Sequence, residues 1–363
     1  MKPVHLSEIR RVLVIKWSAL GDVVIASALM EDVARAFPSA EIDLNTQPNC
    51  AGLFAHDPRF SEVWAIDVRS KTRRWANSLA WIKKVRQGRY DLVIDLQASD
   101  HSRLLLALLW LTGGAPRVRI GNRGGFPYTH QPAIRKSGAH ALPMMQSVLE
   151  SIGIPARTTR PVLHPPPERL AAVDALRSRH GLGDGDYVVL LPGSNASGKL
   201  KRWGAARFAE LARLLHAEGV AKIVVIGGPD EVDECEEIAR AGDYVLNLNG
   251  QLQLFDIAPL CSGASAIVGN DTGTAHFASA AGRPLLVICG PTDPRRVKPI
   301  GAGTVAVQAV LPCINCYAKT CRNPDFHACM KTITPAWIAA RMPELDAGEL
   351  AAGRDWPEGL RSF

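Results

Sequence analysis

Residues 11–37 read RVLVIKWSALGDVVIASALMEDVARAF, and this stretch decides the fold class. RVLVIK is a β-branched, apolar run of strand length. A turn of small residues follows at Ser18, Ala19 and Gly21. From Val23 the apolar positions Val24, Ala28, Val33 and Phe37 keep approximate helical spacing up to Pro38. Strand, tight turn and helix in direct succession open a βαβ unit.

The same rhythm continues outward. EIDLNT (41–46), EVWAID (62–67), DLVIDL (91–96) and RVRIG (117–121) read as further strands, each separated by a segment of helix length. A second series starts at Tyr187 with YVVLLPG and continues through KIVVIGG (222–228), VLNLNG (245–250), AIVGND (266–271) and LLVICG (285–290). Strands alternating with helices call for parallel sheets covered on both faces. Between the series lie Pro155, Pro161, Pro165, Pro166 and Pro167, whose fixed φ makes a semi-rigid linker. The expectation is an α/β chain of two Rossmann-like, doubly wound domains, 1–160 and 161–334, facing each other across a cleft. A tail, 335–363, holds Trp337, Ile338 and Met342 on a helix. In such sheets ligands bind beyond the carboxyl ends of the strands.

A length of 363 residues agrees with two domains. With 47% apolar and 21% charged residues the chain is globular, neither disordered nor collagen-like. The formal charge of +7 is unevenly placed: residues 1–163 carry 22 Lys and Arg against 13 Asp and Glu, residues 164–363 carry 20 against 22. The basic excess therefore belongs to the first half and invites an anionic partner there. The longest apolar run, 104–111, is far short of the roughly 20 residues a membrane-crossing helix needs. No secretory signal follows the N-terminal apolar stretch, so a cytoplasmic location is expected. Cys50, Cys235, Cys261 and Cys289 are scattered and read as reduced thiols.

Three loops carry candidate chemistry. After the first strand, Asp22 sits at the mouth of a helix, either as an N-cap or as a general base. After Leu191 come Gly193, Ser194, Lys199, Lys201 and Arg202; the stretch 193–199 matches G-x-x-x-x-G-K, but Leu200 stands where a P-loop needs a magnesium-binding hydroxyl. A nucleoside-triphosphate P-loop is therefore excluded, and hydroxyl and cations at a helix mouth remain as an anion site, with a solvated basic turn as the alternative. The third loop, GNDTGTAH (269–276), joins a buried strand to a helix of small residues; Gly273 admits a ligand to the backbone, whose free amides suit a diphosphate. Glu231, after Gly227 and Gly228, is placed to accept ribose hydroxyls or simply to start a helix.

These motifs in combination, SALGDVVIASAL, GSNASGKLKRW, GNDTGTAHFASAAGRPLLVICGPTDP and CINC, resemble glycosyltransferase family 9, the ADP-heptose:lipopolysaccharide heptosyltransferases, over nearly the whole chain. The resemblance implies the GT-B fold and inverting transfer of heptose from ADP-heptose to a lipopolysaccharide inner-core acceptor, lipid A–Kdo or a heptosyl group. It implies no required cofactor and no metal. Asp22 resembles the family's catalytic base, Lys201 or Lys199 its phosphate-binding lysine, and Ser194 a phosphate-binding hydroxyl. Glu231 resembles the ribose-binding acid, and Asp271, Thr272, Gly273 and His276 fall on the donor-diphosphate motif. Ser18, Gly21, Arg73, Arg74 and Arg123 are the acceptor-side candidates. Other readings are a GT-B-like nucleotide-sugar epimerase, or a nucleotide- or anionic-polymer-binding protein without catalysis.

Residues 69–89 hold eight Lys and Arg and no acid, and 101–149 hold no Asp or Glu. They predict a positive rim for an anionic lipid-linked acceptor, placing a monomeric enzyme at the cytoplasmic face of the inner membrane. Trp75 and Trp81, among Arg73, Arg74, Lys83 and Lys84, lie against that partner or pack on the sheet. Nucleic acid would suit the charge, but no nucleic-acid-binding module is present. Cys313, Cys316, Cys321 and Cys329, with His327 as a substitute, have spacing open to a tetrahedral zinc or iron site; similar cysteines accompany the family without a metal being needed for transfer. Asp184-Gly185-Asp186 reads as a turn.

Overall fold

The computed structural model describes residues 4–97, 99–134, 140–194, 196–350 and 352–363. The chain divides into two compact units, Met1–His164 and Pro165–Phe363.

In the first unit β1 (Arg11–Lys16), β2 (Glu41–Thr46), β3 (Glu62–Ala65), β4 (Leu92–Asp95) and β5 (Val118–Gly121) form one sheet in the order β3-β2-β1-β4-β5. Every pairing is parallel, with Val12 opposite Ile42 on one side and Leu92 on the other. Strand order reverses on either side of β1, so the carboxyl ends of β1 and β4 frame a topological switch point, the place where such sheets bind ligands. The helix Leu20–Ala36 buries Val23 to Met30 and Val33 continuously, which fits a helix pressed against a parallel sheet.

The second unit repeats the plan. β6 (Tyr187–Leu191), β7 (Lys222–Val225), β8 (Val245–Asn247), β9 (Ala266–Asn270), β10 (Leu285–Cys289), β11 (Thr304–Ala309), β12 (Asp355–Trp356) and β13 (Leu360–Ser362) form a sheet in the order β12-β13-β11-β10-β9-β6-β7-β8. From β8 to β11 the ladder is parallel and follows the Rossmann order, with its switch point between β6 and β9. The pairings of β13 with β11 and of β12 with β13 are antiparallel. Strands β12 and β13 come from the tail 335–363, for which the family resemblance implies packing back on the first domain. The tail is part of the second unit: its helix Pro335–Ala339 packs on the helix Ala205–Ala217, and β13 extends the sheet beyond β11.

Three of the buried tryptophans, those with almost no exposure, anchor the units. Trp17 and Trp81 meet edge to face at 6.0 Å, and both indole N–H groups donate to Asn45 Oδ1 at 2.7 Å. One β2 side chain thus satisfies two buried donors that would otherwise cost free energy. Trp203 packs edge-on against Phe208 at 5.0 Å and donates to the Ile333 carbonyl at 2.7 Å. Of the two tryptophans considered for the basic rim, Trp81 is core, while Trp75 is 81% exposed. Cys50, Cys235, Cys261 and Cys289 are buried free thiols. Among the described residues no helix is long and apolar enough to cross a membrane.

Candidate functional site

At the first switch point β1 runs into Trp17 and Ser18 before the helix Leu20–Ala36. Gln97, just beyond β4, accepts from Trp17 N at 2.7 Å and from Ser18 Oγ at 2.9 Å, so one neutral amide ties the two strand ends together. Arg69 donates to the Trp17 carbonyl at 3.0 Å. Asp22 lies in the first helical turn and is exposed, but it is no N-cap: Ala19 holds that position, with no side-chain capping bond. The carboxylate therefore stands at the positive end of the helix with its oxygens turned to solvent. Beneath it Lys16 is buried; its ammonium donates to the Leu96 carbonyl at 3.1 Å. Burial lowers the Lys16 pKa, against the opposing fields of Asp22 and Asp95.

The acceptor-side candidates divide. Ser18 is buried with its hydroxyl on Gln97, and Gly21 is half-buried inside the first helical turn. Arg73 and Arg74 are exposed where the helix Arg74–Gly88 begins. Arg123 lies 3.5 Å from the Asp100 carboxylate.

The second switch point is built from charge. Asn270, at the end of β9 and fully buried, donates through Nδ2 to the Pro192 and Gly193 carbonyls, while its Oδ1 accepts from Trp203 N at 3.0 Å. This amide staples the loop after β6 to the loop after β9. Lys201 Nζ donates to Asp271 Oδ2 at 2.7 Å, and Thr292 Oγ1 donates to the same oxygen at 2.8 Å. A charge-assisted pair of this length, with Asp271 buried, fixes the ammonium at the mouth of the loop. Of the two lysines left open by the sequence, only Lys201 is brought to the Asp271 loop; Lys199 is exposed on the turn Ala196–Lys201. Asn195, in the same loop, lies outside the described residues.

Beside this pair stands a second cluster. Glu231 accepts from Gly228 N, from Ser194 N at 3.2 Å and from Arg202 at 3.4 Å, and Arg202 also pairs with Glu234. Ser194 Oγ donates to the Gly198 carbonyl at 2.9 Å and accepts from Arg202 Nε at 3.2 Å, so its hydroxyl closes the turn. A Cβ at Gly193 would fall 2.5 Å from Glu231 Cδ, so any larger residue there would displace that carboxylate. Thr272 is the N-cap residue of the helix Gly273–Ser279, and around a Cβ built on Gly273 there is open space. That side of the Gly273 backbone is open. His276 is buried within the same helix.

Sequence reasoning missed Gln97, Asn270, Thr292 and the buried Gln308. Position was the available signal: Gln97 and Asn270 flank the carboxyl ends of β4 and β9, the strands next to each switch point.

Cys313 and Cys316 are exposed, Cys321 and Cys329 half-buried, and all four line a cavity of about 350 Å³ with Leu200 and Pro291. Among the described residues no group of three His, Cys, Asp or Glu is placed to hold a metal ion. His327, the substitute ligand, has its ring Nε2 2.7 Å from the Leu200 carbonyl, and its backbone N–H donates to Cys321 Sγ at 3.3 Å. Burial, with the neighbouring thiols, pushes the Cys329 thiol up to about 11. Asp184-Gly185-Asp186 is a turn, with Gly185 at φ +82° and Asp184 paired to Arg177.

The model of glycosyltransferase family 9 (heptosyltransferase) matches residues 78–327. Lipopolysaccharide heptosyltransferase 1 of Pseudomonas aeruginosa is 28% identical over 333 residues, 86% of this chain and 87% of that one. The structure of the Escherichia coli ADP-heptose lps heptosyltransferase II superposes with a TM-score of 0.68 at 24% identity, covering 94% of this chain and 100% of that chain. Escherichia coli heptosyltransferase WaaC with ADP superposes with a TM-score of 0.67 at 22% identity, covering 92% and 99%. The fold class is thus GT-B, with two Rossmann-like units.

Proposed function

Because the chain belongs to glycosyltransferase family 9, we propose that this glycosyltransferase of lipopolysaccharide synthesis moves heptose from ADP-heptose, with inversion, to an inner-core acceptor, lipid A–Kdo or a heptosyl group. The observation that carries the reading is the pair of switch points: an exposed carboxylate at the end of β1, and a fixed ammonium beside an open glycine backbone after β9.

In this reaction an acceptor hydroxyl attacks the anomeric carbon as the bond to ADP breaks, through a transition state of oxocarbenium character. The hydroxyl proton passes to Asp22 as the new C–O bond forms, and the electron pair of the broken bond leaves on the ADP diphosphate. Lys201 and the amides following Gly273 face that growing charge. A preorganised donor of this kind lowers a barrier by about 3–4 kcal/mol. Glu231 is placed for the ribose, its free acceptor capacity directed by the Ser194 and Arg202 contacts. The chemistry needs no metal or other cofactor, since the lysine and the amides take the role of a cation at the leaving group.

The acceptor's phosphates meet the basic first unit. Its exposed apolar side chains, Trp75 and Leu79 one turn apart among cations and Leu104 and Leu111 on the neighbouring helix, suit an anionic lipid surface at the cytoplasmic face of the inner membrane. An epimerase would leave this surface without use. The test is transfer from ADP-heptose to a Kdo-bearing acceptor, with Asp22→Asn as control. Retained ADP binding with turnover lost supports the assignment, and near-normal turnover in the variant removes Asp22 as the base.

A further inference from the structure

Thr292 has no part in the chemistry above, yet it stands directly behind the cation that the chemistry uses. Its loop, Gly290-Pro291-Thr292-Asp293, leaves β10 and is pinned from the sheet interior by Gln308 of β11. The Gln308 Nε2 group faces three oxygens: the Gly290 carbonyl at 3.0 Å, the Thr292 carbonyl at 2.7 Å and Asn315 Oδ1 at 2.9 Å. Two of these are backbone carbonyls, which only accept, so the amide nitrogen must point at them and the side chain has one orientation. Gln308 and Thr292 are both buried. Held in this way, the Thr292 hydroxyl donates to Asp271 Oδ2 at 2.8 Å, and Lys201 Nζ reaches the same oxygen at 2.7 Å.

The sequence motif places Asp271 with the diphosphate, but the acceptor arithmetic excludes a direct bond. An ionised carboxylate only accepts hydrogen bonds, and so does an ionised diphosphate. Asp271 therefore serves the anion through its partner. A lysine ammonium has three N–H donors on a flexible stem. One donor spent on Asp271 leaves two for the anion and removes much of the freedom of the stem. That arrangement requires the carboxylate itself to be still, and the Thr292 hydroxyl is what holds Oδ2 from behind while sharing its charge.

We infer that Thr292 is a positioning residue: through Asp271 it fixes the Lys201 ammonium for the diphosphate of the donor. The inference rests on the ADP-sugar reading of the site. It extends the donor machinery from the β6 and β9 loops to a third loop, that after β10, which never has to touch the ligand.

The test is calorimetric binding of ADP to the full chain as wild type, Thr292→Val, Thr292→Ser, Lys201→Ala and the Lys201→Ala/Thr292→Val double variant, with thermal melting of each. Thr292→Val keeps the shape and loses the hydroxyl; its Kd is expected to rise about tenfold, while Thr292→Ser stays near wild type. In the Lys201→Ala background the same Val substitution should have no further effect, because the two side chains act as one unit. A loss that is fully additive in the double variant, or an unchanged Kd in Thr292→Val, overturns the inference while leaving the donor reading standing. Wild-type protein that melts cooperatively and binds no ADP overturns both.

Discussion

The carboxyl ends of β1 and β6 hold equivalent places in two sheets that share the order of their central parallel strands, yet they are made of opposite chemistry. At the first, a neutral amide, Gln97, ties the strand ends together and Asp22 is left exposed. At the second, a neutral amide, Asn270, again does the tying, but the charged groups are spent on one another: Lys201 on Asp271, Arg202 on Glu231 and Glu234. The shared part is scaffold, because both switch points must satisfy backbone groups where two loops diverge. The differing part fits the division of labour proposed for the two ends. A base needs an open carboxylate, whereas a diphosphate site needs cations held still and acids kept turned away from the anion.

The sharpest way to break this comparison is to remove the exposed carboxylate. Asp22→Asn is expected to reduce turnover by about 10²–10⁴-fold with ADP affinity retained, measured by steady-state transfer and calorimetry. Loss of affinity along with turnover would mean that the two switch points do not divide the labour. Lys201→Met should do the reverse, weakening ADP binding by about 10–100-fold, the cost of losing a charge-assisted contact to an anion. Unchanged affinity would move the phosphate role to Lys199.

A structural comparison within one helix gives the next largest effect. Trp81→Ala is expected to destabilise the first unit by about 3–5 kcal/mol, since it empties a buried site and strips Asn45 of a donor. Trp75→Ala, an exposed position, should stay within about 0.5 kcal/mol by denaturant titration and show its effect only as weaker binding to anionic vesicles. The smallest expected effect is that of salt. Raising ionic strength from roughly 0.05 to 0.2 M should weaken vesicle binding severalfold while changing ADP affinity less, since exposed charges are screened far more than the half-buried Lys201 pair. Equal salt sensitivity of both would dissolve the assignment of the two partners to the two units.

Much of this was legible before any coordinates. RVLVIK, YVVLL and LLVIC become β1, β6 and β10, because parallel strands buried on both faces are written as apolar runs, and EIDLNT becomes β2 with polar residues at alternate positions. The strand Thr304–Ala309 is not legible in the sequence, since TVAVQA lies in a Gly- and Pro-rich neighbourhood and is broken by a polar residue before its end; that residue, Gln308, is the one that pins the β10 loop. β12 and β13 are not legible for a similar reason: they are two and three residues long, too short to leave a pattern. At the site, Asp22, Lys201, Asp271 and Glu231 could be named from their loops. Which of Lys199 and Lys201 meets Asp271 could not, because two lysines on one turn are alike in sequence and differ only in what lies opposite.

By itself, then, the sequence determined two α/β units, the loops that carry chemistry and the half of the chain that bears the positive charge, all of which follow from local pattern and residue type. The tertiary structure decided which groups meet. It set Lys201 against Asp271 across 70 positions and Thr292 against the same oxygen from 21 positions away. It also buried Trp81 while leaving Trp75 in solvent, and turned the Ser194 hydroxyl inward. Such pairings depend on strand order and loop direction, and these arise from the packing of whole sheets, where no local run of residues records them.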